Sequence, residues 1–131
     1  MGTWDAGPYD NDDASDWLED LFEADPAEWS DIIAETLTAV VDWDDYLEYA
    51  EAAEAVAAAA VVASQLPGME AYAPEMFADD EELDFPESLR DLAVRALDRV
   101  VGDESEWREL WDGNGDEAVD IVRELRAALA G

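Results

Sequence analysis

The chain has 131 residues, the size of one ordinary domain, and half of them are apolar, which predicts a packed core and excludes a disordered acidic tail. It has 37 acidic residues and only six basic ones, all Arg. The resulting net charge of −31 argues against binding to nucleic acid phosphates or anionic lipid. The chain contains no Cys, which excludes disulfides and thiolate chemistry.

The chain opens with an irregular segment, residues 1–11, that Gly2, Gly7 and Pro8 interrupt. A first helix is predicted from a cap at Asn11 or Asp12 to the residues before Pro26. Its apolar side chains recur at helical spacing, and they are Ala14, Trp17, Leu18, Leu21 and Phe22.

A second helix is predicted with Asp25 as its N-cap and Pro26 at its first position. Its apolar residues are Trp29, Ile32, Ile33, Leu37, Val40 and Val41. A third helix is predicted from Asp45 to Gln65, with a stripe formed by Tyr46, Leu47, Ala50, Ala53, Ala57, Val61 and Ser64. Because its small Ala side chains let other helices approach closely, we place it at the centre of a bundle.

Residues 66–86 are predicted to form an irregular loop, since three prolines and Gly68 break it. A fourth helix follows from Pro86 to about Val101, and Gly102 stops it. A short helix is predicted over 104–111 and a last one over 116–128, with Val119, Val122, Leu125 and Leu129 facing inward. Two ion pairs are predicted from their spacing, Asp91 with Arg95 and Glu104 with Arg108.

No segment alternates at the period of a strand. The fold class is therefore all-α: a single compact bundle of about five to six helices with short loops, spanning residues 1–131 as one domain.

Acidic and basic residues are segregated along the chain. Residues 1–89 carry 26 carboxylates and no cation, whereas residues 90–131 carry 11 carboxylates and all six Arg. So large a net charge opposes compaction in dilute buffer, and molar salt, with a Debye length of about 3 Å, removes most of that repulsion. We therefore expect a protein of haloarchaeal type whose surface carries solvated monovalent cations. The alternative is that the carboxylates imitate nucleic acid and inhibit a DNA- or RNA-binding protein.

The sequence predicts a cytoplasmic location. No basic segment followed by an apolar one stands near Met1, so no signal peptide is expected. The longest apolar run, Ala55 to Ala63, is shorter than the roughly 18 residues that a membrane-spanning helix needs, so no membrane contact is expected either.

Two blocks of sequence carry a resemblance to a known family. The first is Met1-Gly2-Thr3-Trp4, continued by Gly7-Pro8-Tyr9-Asp10-Asn11-Asp12-Asp13-Ala14 and Asp16-Trp17; the second is Ser105, Glu106, Leu110 and Trp111. With the Ala-rich helix between them, they resemble domain-of-unknown-function family 4259. Members of that family open with Met-Gly-x-Trp-Gly-x-Gly-x-Phe-x-Asn-Asp and continue into Ala-x-Asp-Trp and, later, Ser-Glu-Leu-x-Glu-Leu-Trp. The resemblance implies a small helical domain and brings no established activity.

The chain departs from that family's pattern at four positions. Asp5 stands in place of Gly, Tyr9 in place of Phe, and Trp107 in place of Leu. Ala60 stands where an acid precedes the Val-Val-Ala of the central helix. If that acid is catalytic in other members, this chain has lost it.

The N-terminal block has two interpretations. In the structural one, Gly2 and Gly7 permit backbone conformations that other residues resist, and the residues at 11 and 12 cap the first helix. In the functional one, the block forms a binding surface made of Trp4, Tyr9, Asp10, Asn11 and Asp12.

Residues 112–117 begin like a calcium-binding loop, with Asp112, Asn114 and Asp116 at alternate positions. The sixth position should be Gly and is Glu117, and the twelfth should be Glu and is Arg123. A turn between helices therefore explains the segment better. The three oxygen-bearing residues are weak metal candidates only, and we expect no cofactor.

Catalysis has little support, because the chain lacks His, Cys and Lys, the usual bases and nucleophiles near neutral pH. Glu48, Glu51 and Glu54 of the third helix can serve acid–base chemistry only if burial raises a pKa, and a solvated helix edge is the preferred interpretation. We expect a non-enzymatic module that binds another protein through the N-terminal block or the 66–86 loop. The alternatives are the nucleic-acid mimic and a carboxylate-based metal-binding protein.

Overall fold

The structure is a computed structural model that describes residues 12–43, 45–66, 87–102, 104–111 and 117–130. Its helices are α1 (Asp12–Glu23), α2 (Trp29–Val41), α3 (Tyr49–Ala63), α4 (Glu87–Val100), α5 (Glu106–Trp111) and α6 (Glu117–Ala130). These described residues contain no strand, only one isolated parallel bridge between Leu47 and Ser105. The predicted all-α bundle of five to six helices is confirmed. The predicted irregular segment 1–11 and all but Leu66 of the predicted loop 66–86 lie outside the described residues.

The Ala-rich helix α3 lies at the centre of the bundle, as its composition predicted. Eleven of its 15 residues are buried, on every side of the helix. α1, α2, α4, α5 and α6 all pack against it. A helix that is apolar all round belongs in a core, and its small side chains let the surrounding backbones come close.

The helices around α3 each bury one face, because their apolar residues recur at helical spacing. The predicted inward residues of α6 are confirmed, as are those of α1 and α2 except Phe22, Ile32 and Val41, which are only half-buried. The buried ones are Ala14, Trp17, Leu18 and Leu21 of α1; Trp29, Ile33, Leu37 and Val40 of α2; Leu89, Ala93, Ala96, Leu97 and Val100 of α4; and Val119, Val122, Leu125 and Leu129 of α6.

The second helix begins later than predicted. Residues Pro26–Glu28 form a 3₁₀ turn, and α2 starts at Trp29. Asp25 caps this turn instead of α2: its Oδ1 accepts a hydrogen bond from the Ala27 amide at 3.1 Å, and its carbonyl accepts one from the Glu28 amide at 2.7 Å. Proline's missing N–H and fixed φ suit the first position of either kind of helix, so the sequence did not distinguish them.

The predicted start of the third helix at Asp45 is wrong. α3 begins at Tyr49, and residues 45–48 lie outside it. Leu47 is buried, but its amide donates to the Glu104 carbonyl at 2.7 Å and its carbonyl accepts from the Glu106 amide at 2.8 Å. Because distant residues satisfy its backbone, Leu47 has no helical hydrogen bonds to make.

The two ion pairs predicted from i, i+4 spacing are wrong. Arg95 is exposed, and no ion pair joins it to Asp91. Arg108 donates through Nη1 to the Val101 carbonyl at 2.9 Å and not to Glu104. Glu104 precedes α5, which starts at Glu106, and its φ of 60° turns the chain sharply there. The i, i+4 spacing brings two side chains together only within one helix, and Glu104 lies outside α5.

Candidate functional site

The residues predicted to form a binding surface lie almost wholly outside the described part of the chain. Trp4, Tyr9, Asp10 and Asn11 are not described, and Asp12 is described only as the first residue of α1. The weak metal candidates at 112, 114 and 116 are also outside. These site predictions stay predictions. The described residues contribute three other features: a junction between two loops, a group of carboxylates between α1 and α3, and a groove on α2.

The junction joins Trp43 and residues 45–49, at the end of α2 and the start of α3, to residues 104–109, around the start of α5. Its backbone bonds are those of Leu47 with Glu104 and Glu106. Arg99 of α4 reaches it from the side, donating to the Asp45 carbonyl at 2.6 Å and to the Glu104 carbonyl at 3.4 Å. The guanidinium thus holds two loops that have no regular secondary structure to fix them.

Ser105 and Glu106, the pair by which the second block resembles the family, cap two different helices at this junction. Ser105 is only 1% exposed, and its Oγ accepts a hydrogen bond from the Arg108 amide at 3.4 Å, which caps α5. Glu106 Oε1 accepts the amide of Tyr49, the first residue of α3, at 2.7 Å. Glu106 therefore supplies from a distance the cap that α3 lacks locally, since the preceding Glu48 makes no side-chain cap bond.

An exposed tyrosine completes the junction. The Tyr46 hydroxyl donates a hydrogen bond to Oε2 of Glu109, and the Trp43 indole N–H donates one to the Tyr46 carbonyl at 3.0 Å. The hydrogen bond to the Glu109 carboxylate, helped by desolvation and by the negative charges of Glu109 and Glu106, raises the pKa of Tyr46 to about 12. The phenol is thereby held protonated as a donor, which suits a structural link and not a general base.

Replacing Glu106 by Ala should lower the free energy of unfolding by about 1 kcal/mol, because the first amide of α3 loses its acceptor. Glu106→Gln should keep most of the stability, since its amide oxygen can accept the same hydrogen bond. Urea denaturation at molar potassium chloride measures both. The exposed Glu35→Ala on α2 controls for removing one negative charge. Equal losses for Glu106→Ala and Glu35→Ala would show that the distant cap does not stabilise α3.

The second feature is a group of carboxylates between α1 and α3. Glu51 and Glu54 of α3 are half-buried, so the predicted solvated edge is wrong for them, whereas Glu48 is exposed as predicted. Burial, followed by the negative charges of Glu51, Asp13 and Asp20, raises the pKa of Glu54. Oε2 of Glu51 is buried and accepts no hydrogen bond within the described structure.

Few side chains could act as catalytic partners for this group of carboxylates. A raised pKa makes Glu54 readier to take up a proton, as in a general acid. No His, Cys or Lys exists to be its partner, and no Arg precedes position 90. In the described ranges, no cluster of three or more carboxylates is arranged to hold a metal ion.

The third feature is an open groove of about 590 Å³ on the outer face of α2. It is lined by Asp31, Ala34, Glu35, Thr38 and Ala39. The lining is acidic at two positions and otherwise small, and it offers no nucleophile activated by a base. The arrangement suits contact with another surface better than enclosure of a substrate.

Sequence reasoning missed the junction between the two loops and the role of Arg99. Part of the signal was Ser105 itself, because Ser is a preferred N-cap residue, and an N-cap at Ser105 would have started α5 at Glu106. The partner segment carries no such signal, because Leu47 differs in no visible way from an apolar residue inside a helix.

These features define an acidic, all-helical protein built around one Ala-rich helix, without an assembled catalytic centre in the part that the structure describes. The family model called Domain of unknown function (DUF4259) matches residues 2–120, and the chain belongs to that family. No curated protein and no solved structure matches the chain significantly. Among the described helices, none combines the length and the apolar character needed to cross a bilayer.

Proposed function

We propose that this chain is a non-catalytic protein-interaction module that works in a cytoplasm of molar salt, as in haloarchaea. The observation that carries the proposal is chemical: a protein with a well-packed core has no His, Cys or Lys anywhere in its sequence. The two perturbed acids of the described part support it, since Tyr46 is engaged in a structural link and Glu54 has only carboxylates around it. A surface for another protein needs none of the missing residue types.

The N-terminal block, Trp4 with Tyr9 and Asp10 to Asp12, is our first choice for the binding surface. It leads directly into α1, which is fixed to the bundle: the Trp17 indole donates to Thr36 Oγ1 of α2 at 2.9 Å. Aromatic side chains dominate the binding energy of many interfaces, and this block supplies two of them next to a packed helix. Residues 66–86 are the second choice.

The test is an affinity pull-down from a native lysate kept at molar potassium chloride, with the wild type and a Trp4→Ala, Tyr9→Ala double variant. We expect a reproducible partner that the double variant loses. Tyr46→Ala is the matched control, because Tyr46 is an aromatic residue that is 41% exposed elsewhere on the surface. If the wild type captures no reproducible partner, the interaction proposal is refuted. If the double variant still captures the partner, the binding surface lies outside the N-terminal block.

A nucleic-acid mimic is the second candidate, and the segregation of charge favours it. The exposed faces of α1 and α2 offer carboxylates and no cation, while every Arg lies on or near α4, α5 and α6. Displacement of labelled duplex DNA from a basic DNA-binding protein would test it. The variant Asp31→Asn, Glu35→Gln should then displace less DNA than Asp120→Asn, Glu124→Gln, which removes the same charge from α6. Equal behaviour of the two variants would refute mimicry by the α2 face.

A further inference from the structure

Residues 104–111, which we call the strap, comprise α5 and the turn before it. The first residue of the strap, Glu104, has a backbone φ of 60°, a left-handed conformation that residues other than Gly, Asn and Asp rarely adopt. Within the described ranges, it is the only residue other than glycine with a positive φ. A residue keeps such a conformation only where its surroundings impose it, and such residues cluster in parts of proteins that move or bind.

The hydrogen bonds of the junction impose this conformation. The Glu104 carbonyl accepts from the Leu47 amide at 2.7 Å and from Arg99 Nη1 at 3.4 Å. The Glu106 amide then donates back to the Leu47 carbonyl at 2.8 Å. An ordinary φ at Glu104 would redirect both its carbonyl and the chain that follows, so the left-handed turn and the bridge depend on each other.

Two side-chain contacts close the strap at the surface. The Tyr46 hydroxyl donates to Glu109 Oε2, and Glu106 Oε1 accepts from the Tyr49 amide at 2.7 Å. Tyr46 is 41% exposed, and both glutamates are exposed as well. Because water competes for exposed hydrogen bonds, each of these contacts contributes little alone, and the strap depends on their acting together.

Beneath these contacts the strap is anchored by Trp107, which is 4% exposed. α5 packs on α3 and α6, whereas the most extensive helix contacts, α3 with α4 and α2 with α4, do not involve it. With six residues, α5 is too short to be a stable helix apart from the bundle. The longer helices can therefore stay packed when the strap comes away.

We infer that the strap opens and closes as a unit, with Glu104 as its strained hinge and the junction hydrogen bonds as its latch, while α3, α4 and α6 stay packed. In the open state Glu104 relaxes to an ordinary φ, which offsets part of the cost of taking Trp107 out of the core. Opening also removes Glu106 from the Tyr49 amide, so the first turn of α3 frays with it. This movement belongs to the chain alone and does not depend on the interaction proposed above.

Amide hydrogen exchange of the full chain at molar potassium chloride, followed by NMR, tests the inference. The reporters are the amides of Leu47, Tyr49, Glu106 and Glu109, whose hydrogen bonds all involve the strap. We expect the four amides to share one protection factor, roughly ten-fold or more below that of the centres of α3 and α4. Equal protection in the strap and in those centres would overturn the inference, because the strap would then open only when the whole chain unfolds. Unequal protection among the four amides would overturn it as well.

Two substitutions that remove the same charge test the hinge. Asn adopts the left-handed conformation more readily than most residues, whereas the β-branched Val strongly resists it. Glu104→Val should therefore lower the protection of the strap amides about ten-fold more than Glu104→Asn does. The centres of α3 and α4 should lose protection by the same factor, since the hinge is relaxed in the unfolded chain too. A loss in those centres without a loss in the strap would show that Glu104 stays left-handed on opening, and equal effects of the two variants would show that it carries no strain. Either result would overturn its role as hinge.

A double-mutant cycle on Tyr46→Phe and Glu109→Ala tests the latch. Each single variant should lower strap protection several-fold, and the double variant should lower it no further than the stronger single, because both remove one hydrogen bond. Glu35→Ala, which removes the same charge from the exposed face of α2, should not lower strap protection. Additive effects of the two substitutions, or a loss for Glu35→Ala as large as that for Glu109→Ala, would overturn the latch.

Discussion

Lowering potassium chloride from molar concentration to below a few tenths molar is expected to abolish the cooperative helical structure of the chain. The net charge of −31 is spread over 131 residues, and the 37 acidic residues have only six Arg to neutralise them. Native domains have a free energy of unfolding of only about 5–15 kcal/mol, and the unscreened repulsion from so large a net charge can exceed it. Circular dichroism and the melting temperature across the salt series measure the effect, which should reverse when the salt is restored.

Two comparisons separate screening from other actions of salt. Sucrose at matched osmolality favours compact states by exclusion from the surface but screens no charge, so it should not restore the helices by itself as potassium chloride does. Sodium chloride at equal ionic strength should restore them as well as potassium chloride, because screening does not depend on the cation's identity. Unchanged helicity and melting temperature over the whole series would refute the salt-adaptation proposal.

The faces of the amphipathic helices were predictable because they depend on local spacing. Leu89, Ala93 and Leu97 fall on one side of a helix whatever lies opposite them, and the structure buries all three. The central position of α3 was predictable for a related reason, since a run of Ala and Val has no polar face to expose. These features follow from residues within one or two turns of each other.

The features that the sequence did not predict depend on residues far apart in the chain. Whether Leu47 continues a helix or leaves it depends on Glu104 and Glu106, which offer its backbone other partners. Arg108 was expected to meet Glu104, but the structure shows it donating to the Val101 carbonyl, and Arg99, for which no partner was predicted, donates to the Asp45 carbonyl. A guanidinium has five N–H donors and can satisfy such carbonyls, but their positions are known only once the chain has folded.

The carboxylates of α3 show the same limit in the candidate site. A helix edge with three Glu residues at intervals of three is normally solvated, and the sequence contains nothing to suggest that α1 covers it. Only the packing of α1 on α3 reveals that Glu51 and Glu54 are half-buried among other acids. The unusual electrostatics of this protein therefore lie where the sequence predicted ordinary solvent exposure.

Enlarging one alanine at the centre of α3 is expected to destabilise the protein strongly. Ala60 is 0% exposed, and the helix around it is enclosed by neighbours on every side. Ala60→Leu adds three carbon atoms where the surrounding backbones approach closely, and overpacking of this kind costs about 1–3 kcal/mol or more. Urea denaturation at molar potassium chloride measures the change in the free energy of unfolding.

Ala127→Leu on α6 is the matched control, because Ala127 is exposed and lies in a helix. Ala and Leu have similar helix propensities, so the substitution itself should not disturb the helix. It should change stability by less than about 0.5 kcal/mol. If Ala60→Leu were equally mild, α3 would have room beside it, and its Ala content would reflect helix propensity instead of close packing. A large loss for Ala60→Leu alone would show that small side chains are required at this position because the neighbouring helices pack closely against α3.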